Sequence, residues 1–373
     1  METQNAEPKN LSDSMPTKDC ALRISGNRGC QCCRAVSMSS CGLRFGTFIL
    51  PASGKDHDRT VHQRLSAEPS KSYPSEPPFF GFGLFDGHGL GSQVADLAAS
   101  SLLPFVARQR DILRVNPRHR KKLTRTRSQA LREDHQRQDS SPLLSQRWRV
   151  EAEEMLGLSF TQCQDEAQIL YGNERLGSTA TVALVQKDSL YATKWNISVA
   201  WVGDSRCMVQ EPGDAPARAL TTDHHLTLRR EHARCSTIAA REAENFEAGQ
   251  RRTHLWHGRL MNESTGVHTE VTRAIGDGLA SPALHADSLD VVHTVVADGS
   301  TLVICSDGVW GVLNETQVGD IVRQFRDPHK ASFVISSTAQ QVRELEGRAQ
   351  DDISAVVVHL DACLRQPLRG TSF

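Results

Sequence analysis

The order of apolar runs along the chain predicts an α+β fold in which antiparallel sheets are covered by helices. Three observations carry this expectation. Apolar runs at 180–186, 195–202 and 206–210 follow one another closely, the first two across the polar turn Lys187-Asp188-Ser189, as antiparallel neighbours do. Helical spacing interrupts the strands, first through Val94, Leu97, Ala98, Leu102 and Val106, then over 150–171. Carboxylates also recur where apolar runs end: Asp86, Asp204, Asp307 and the pair Asp351-Asp352.

Composition bounds the class. The 373 residues, 38% of them hydrophobic, suffice for a large core, and one catalytic domain with tails is preferred to two domains. A formal net charge of −1 at pH 7 gives no reason to expect specific nucleic acid or an anionic membrane as a partner. No run reaches the roughly 18 consecutive apolar residues that a membrane-spanning helix needs. The start Met1-Glu2-Thr3-Gln4-Asn5 lacks the features of a secretory signal, and Glu2 excludes N-terminal myristoylation. The ten cysteines show no regular framework, and Cys207 and Cys305 sit inside apolar strands as small hydrophobes. A reducing compartment, cytoplasmic or nuclear, is therefore expected.

Taken in order, residues 1–20 are polar, contain Pro8 and Pro16, and read as a disordered leader before a domain spanning 21–361. Strands are expected at 46–50 and 79–85, joined by a long mobile loop broken by Gly54, Pro69, Pro74, Pro77 and Pro78. A helix follows Asp86 and packs back over the preceding strand. Between 108 and 149 the chain turns basic, with Arg118, Arg120, Lys121, Lys122, Arg125, Arg127, Arg132 and Arg137. This flexible insertion reads as a solvated loop, as a dock for an acidic partner or nucleic acid, or as a regulatory phosphosite around Thr124 to Ser128. Glu211-Pro212-Gly213-Asp214 is a turn, and helix formers dominate 228–246. A strand at 301–306 breaks at Asp307; helices at 315–325 and 330–345 precede a last strand at 353–360, and 362–373 is a tail. There is no internal repeat.

The residue types suggest metal chemistry. Hard divalent cations prefer oxygen ligands, and Asp86, Asp307 and Asp351 suit that role. If Asp86 bridges two ions roughly 3.5–4 Å apart, a hydroxide between them attacks phosphorus in line. Any single Asp-Gly pair is more often a strand-end turn, so the weight lies in their agreement. His88, two residues from Asp86, has the chemistry to protonate a departing alkoxide, although a lone surface histidine is usually inert. Arg28, in Gly26-Asn27-Arg28-Gly29, offers a guanidinium fork to a phosphate or is simply solvated.

These motifs carry a resemblance to the metal-dependent protein phosphatases, the PP2C (PPM) family, which act on phosphoserine and phosphothreonine. The matching blocks, in order, are Phe80 to Gly89, Gly177-Ser178-Thr179-Ala180, Val202-Gly203-Asp204-Ser205-Arg206, Thr222-Asp223-His224, Val271 to Asp277, Ser306-Asp307-Gly308-Val309-Trp310, and Asp351-Asp352-Ile353-Ser354. The resemblance covers roughly 22–360. It implies a four-layer αββα sandwich of two antiparallel sheets flanked by helices, with two Mg2+ or Mn2+ ions at one end and a phosphoprotein substrate. By motif position, Asp86 would bridge both ions, the Gly87 carbonyl would ligate one, and Asp307 and Asp351 would complete the other. Arg28 would bind the phosphate and His88 would be the general acid.

The departures from the family pattern define an alternative. Cys32-Cys33 stand where the family carries Glu-Asp after its arginine, and loss of such supporting groups costs about 10–100-fold in affinity or activity. Gly311 replaces the acid that ends the family's Asp-Gly-x-Trp-Asp block, against an accessory third ion; Glu174 compensates only in part. Cys20, Cys30, Cys32, Cys33 and Cys41 crowd one segment without the paired spacing of common zinc sites, so ordinary thiols are preferred to a zinc or redox site. Asp204, Asp223 and Asp277 are assigned to turns and to framing the cleft. The sequence thus supports an active serine/threonine phosphatase working through a metal-bridging hydroxide, with a catalytically impaired pseudophosphatase acting as a scaffold as the alternative.

Overall fold

Each long strand sends alternate side chains to opposite faces, and here both faces of the main sheets are covered. The structure, a computed structural model, describes residues 33–38, 43–52, 55–65, 79–115, 143–188, 191, 193–244, 253–262, 265–279, 284 and 289–361. One sheet has six strands in the order β1 (Cys33–Met38), β2 (Leu43–Leu50), β17 (Ile353–Leu360), β16 (Ser300–Cys305), β9 (Arg206–Gln210) and β10 (Arg218–Ala219). The other has five, in the order β15 (Asp290–Ala297), β8 (Lys194–Val202), β7 (Ala180–Lys187), β4 (Phe79–Phe85) and β3 (Arg59–Arg64). Neighbouring strands in both are antiparallel, with β4 and β7 in the register Phe82↔Ala183 and β16 and β17 in the register Val303↔Val357.

Apolar burial holds the layers together. Phe82, Trp195, Ile304 and Val356 meet between the two sheets. On the outer face of the five-stranded sheet, helices α1 (Gln93–Val115) and α2 (Leu143–Tyr171) bury Val94, Leu102, Leu156 and Phe160 against Phe79, Phe85 and Leu184. Beyond the six-stranded sheet, α5 (Glu315–Gln324) and α6 (Pro328–Leu345) bury Val318, Ile335 and Ala339 against Val303 and Val357. Each buried Val, Leu, Ile or Phe among them contributes about 1.5–3 kcal/mol. The result is the expected αββα sandwich.

The helices start where local chemistry permits. Asn314 accepts a hydrogen bond from Gln317 N at 3.0 Å while Gln317 Oε1 accepts one from Asn314 N at 2.9 Å, a reciprocal cap on α5. Asp327 accepts from His329 N at 2.9 Å, and Pro328, needing no donor partner, opens α6. Two smaller sheets join the loops: β14 (Ile275–Gly276), β6 (Leu176–Ser178) and β5 (Gly87–Gly89), and β11 (Thr253–Trp256), β12 (Arg259–Asn262) and β13 (His268–Thr269). Helix α3 (Arg229–Glu244) precedes β11, and the short α4 (Asp307–Trp310) follows β16.

Several strands fall where none was expected, among them β1, β10, the short strands of the two small sheets, and two strands of the five-stranded sheet. β3 lies within the stretch read as one long loop, and β15 has no counterpart among the expected strands. Both are edge strands with mostly half-exposed residues, so neither needs the dense apolar pattern of a buried strand. Helix also enters both ends of the basic segment, since α1 continues to Val115 and α2 begins at Leu143. Residues 1–20, Arg28, 116–142 and 362–373 lie outside the described residues. No helix among the described residues is long and apolar enough to cross a membrane.

Candidate active site

A strand buried along its whole length ends at Asp86. β4 is buried at every position, so its last peptide is fixed, and Asp86 N donates to Thr179 Oγ1 at 3.2 Å while Asp86 O accepts from Thr179 N at 2.9 Å. The chain then enters β5, which pairs Gly87 with Ser178 and His88 with Gly177. On the other side of β6, β14 pairs Gly276 with Gly177, which carries Asp277 to His88. His88 Nε2 and Asp277 Oδ2 are 2.6 Å apart. Gly177 is required there, because a Cβ would collide with both the imidazole and the carboxylate.

The other acids arrive from the six-stranded sheet. β16 ends at Ser306, whose backbone opens α4 at Asp307, and Asp351 stands just before β17. Asp86, Gly87, His88, Asp204, Asp307 and Asp351 all line one cleft of about 520 Å³, together with Lys55, Arg175 and residues of the β12–β13 region. Lys55 Nζ lies 3.3 Å from Asp351 Oδ1, and His225 Nε2 lies 2.8 Å from Asp204 Oδ2.

Asp58, which the sequence reading did not single out, adds a further carboxyl group. It precedes β3, is fully buried, and neither oxygen finds a hydrogen-bond donor of good geometry. Its neighbours are Ser354 and the carboxylates of Asp352, Asp86 and Asp307. Asp352 itself holds the adjoining loop, accepting from Ala52 N and His57 N at 2.7 Å each. The only hint of Asp58 in the sequence is Asp56-His57-Asp58 before a polar run, which resembles any solvated turn.

Crowding of like charge sets the electrostatics. Burial, then the negative charge of Asp352 and Asp307, pushes Asp58 up to about 7, partly opposed by the nearby Ser354 and Asp86. Burial and the charges of Asp204 and Asp351 push Asp307 up to about 7. Asp86 is held well above the usual carboxylate range by burial, then by Asp58, Asp307 and Asp204. Burial pulls the His88 imidazole down, but Asp277 outweighs it and the net shift is upward. Behind this cluster, burial opposes ionisation of Glu231, yet Arg273 and Arg234 bring it down to about 2 and tie α3 to the segment leading into β14.

These residues fit a site for hard cations on two counts: Asp58 is buried with two orphaned oxygens, and the surrounding carboxylates raise one another's proton affinity. Among the described residues, no three acidic, histidine or cysteine side chains stand already closed into a metal-binding group. Cys33 opens β1 opposite Phe48, and Cys32 lies outside the described residues. The three acids assigned to framing differ in role. Asp204 lines the cleft, Asp277 holds His88, and Asp223 accepts from Arg206 Nε and Nη2 at 2.9 and 2.8 Å.

Comparison with known proteins agrees with this architecture. The family model for Protein phosphatase 2C matches residues 54–345, a span that begins after Arg28 and ends before Asp351. "Probable protein phosphatase 2C 45" of Oryza sativa subsp. japonica is 28% identical over 279 residues, covering 74% of this chain and 75% of the relative. "Probable protein phosphatase 2C 9" of the same species is 26% identical over 277 residues, covering 71% of this chain and 55% of the relative. The chain thus spans about half the length of several curated relatives it matches. Among solved structures, a serine-threonine phosphatase 2C from Toxoplasma gondii superposes with a TM-score of 0.61 at 15% identity, covering 87% of this chain and 98% of that chain. A C. elegans sex determining protein superposes with a TM-score of 0.57 at 20% identity, covering 86% of this chain and 65% of that one. The structural likenesses establish the fold, and the family match, which takes in most of the chain, establishes that it belongs to the protein phosphatase 2C family.

Proposed function

We propose that the protein is a metal-dependent serine/threonine phosphatase that hydrolyses phosphoserine and phosphothreonine in a phosphoprotein substrate. One observation carries this reading: Asp86, Asp204, Asp307 and Asp351 line a single cleft, with Asp58 buried behind them and His88 beside them. In this reading Asp86, the Gly87 carbonyl, Asp307 and Asp351 hold two Mg2+ or Mn2+ ions. Such ions supply charge neutralisation at the phosphoryl group and an activated water at neutral pH. His88 is the general acid, and Asp277 fixes the ring so that its proton faces the departing seryl or threonyl oxygen. Arg28, outside the described residues, is assigned to the phosphoryl oxygens, and Lys55 is a cation already on the cleft wall.

A scaffold reading is favoured by the substituted acids: Cys32-Cys33 stand where the family carries Glu-Asp, and Gly311 where it carries an acid. The test is phosphate release from a phosphothreonine peptide with Mn2+, against EDTA and Asp86→Asn controls. Metal-dependent release that disappears in the variant supports the phosphatase; release no greater than that of the variant supports the scaffold.

A further inference from the structure

Arg343 lies in the last turn of α6, which with α5 covers the outer face of the six-stranded sheet, and its side chain reaches the segments that carry Asp307 and Asp351 into the cleft. Its guanidinium Nε donates to Gly308 O at 2.7 Å, Nη1 to Ala349 O at 2.9 Å, and Nη2 to Asp307 O at 3.2 Å. Nη2 also stands 3.9 Å from Asp351 Oδ2, and the side chain is only 12% exposed. One planar group therefore touches both segments that carry the acids of the six-stranded sheet: the turn at Asp307-Gly308 and the loop from Ala349 to Asp351. Neither segment is braced by a strand at that point, because β16 has ended and β17 has not begun. Gly311 leaves room for this. A Cβ at that position would stand 3.2 Å from Arg343 Nη2.

We propose that Arg343 is a positioning residue of the cation site, clamping Asp307 and Asp351 at a fixed separation from the space beside Gly311. The clamp works through geometry, since a flat fork holds separate nitrogens at fixed spacing against separate acceptors, whereas an ammonium carries its three donors on one freely rotating nitrogen. Its charge acts the other way, because a guanidinium near the cleft repels an incoming cation. Removing the charge alone would tighten cation binding, and removing the clamp would weaken it.

The inference rests on the reading that these carboxylates hold divalent ions, and the experiment separates the two. Mn2+ binding to the full chain is measured by calorimetry for wild type, Arg343→Lys, Arg343→Gln and Arg44→Gln, with melting temperatures recorded in EDTA. Arg44 bonds Arg326 O and Asp361, away from the cleft, and serves as the control for general loosening. The expected result is a Mn2+ dissociation constant raised about 10-fold in both Arg343 variants and unchanged in Arg44→Gln. Lysine keeps the charge and glutamine removes it, so weakening in both reports the lost fork. Wild-type affinity in Arg343→Lys, tighter binding in Arg343→Gln, or equal weakening in Arg44→Gln overturns the clamp while leaving the cation site standing. No Mn2+ binding by wild type overturns both. If Arg343→Lys melts below the assay temperature, the glutamine variant decides alone.

Discussion

Asp58 sets the chemistry of the site against the stability of the fold. A buried carboxylate with no donor weakens the cation-free protein, and the same carboxylate strengthens a cluster that attracts cations. Asp58→Asn at pH 8 in EDTA is expected to raise the melting temperature, at about 2–4 °C per kcal/mol relieved, and to weaken Mn2+ binding about 10–100-fold. A lower melting temperature in EDTA would refute the assignment. The phosphoryl contact belongs to the same scale. Arg28 is assigned to the phosphoryl oxygens, so Arg28→Ala is expected to raise KM for a phosphothreonine peptide about 10-fold, the worth of one charge-assisted hydrogen bond, with a smaller change for Lys55→Ala on the cleft wall. The reverse order would give that role to Lys55. Asp86 and Asp307 were legible because each ends a buried strand and precedes a glycine, which is a local signal. Asp58 was not, because the groups that face it in the fold, Asp86, Asp307, Asp352 and Ser354, are remote in sequence, and its own chain neighbours are polar.

At the scale of elements, strands buried on both faces announce themselves and edge strands do not. β7, β8, β16 and β17 are mostly apolar, buried along nearly their whole length, and were readable; β3 and β15 take their conformation from the neighbours β4 and β8, whose backbone groups they satisfy. β17 also carries an acid-sensitive group. His359 is buried there, with Nδ1 2.8 Å from Thr301 Oγ1, and burial followed by the charge of Arg44 holds its pKa below the ordinary 6.5. A histidine kept neutral in the fold takes up its proton first in the unfolded chain, so it removes stability as pH falls below 6.5. His224 acts in the same direction, also through burial, while His88 and His225 act oppositely. Replacing only His359 isolates its share: His359→Leu should lose less stability than wild type between pH 7.5 and pH 5, as read by urea unfolding. Equal losses would mean that His359 is not kept neutral by the fold.

Over the whole molecule, the two sheets share one edge-on opening, where β4 delivers Asp86 from one sheet while β16 and β17 deliver Asp307 and Asp351 from the other. No single element owns the site, which is why the sequence showed the acids and the motif order but not the link between Arg343 and Gly311 or between Asp277 and His88. The arrangement gathers negative charge that the fold alone does not balance, and the account holds that divalent ions balance it. Crystals soaked in Mn2+ and measured at the manganese absorption edge test this most directly. The account predicts two anomalous peaks roughly 3.5–4 Å apart in the cleft, with Asp86 touching both and the Gly87 carbonyl, Asp307 and Asp351 completing their shells. A cleft without manganese at saturating concentration, or peaks bound only to carboxylates elsewhere on the surface, would contradict it.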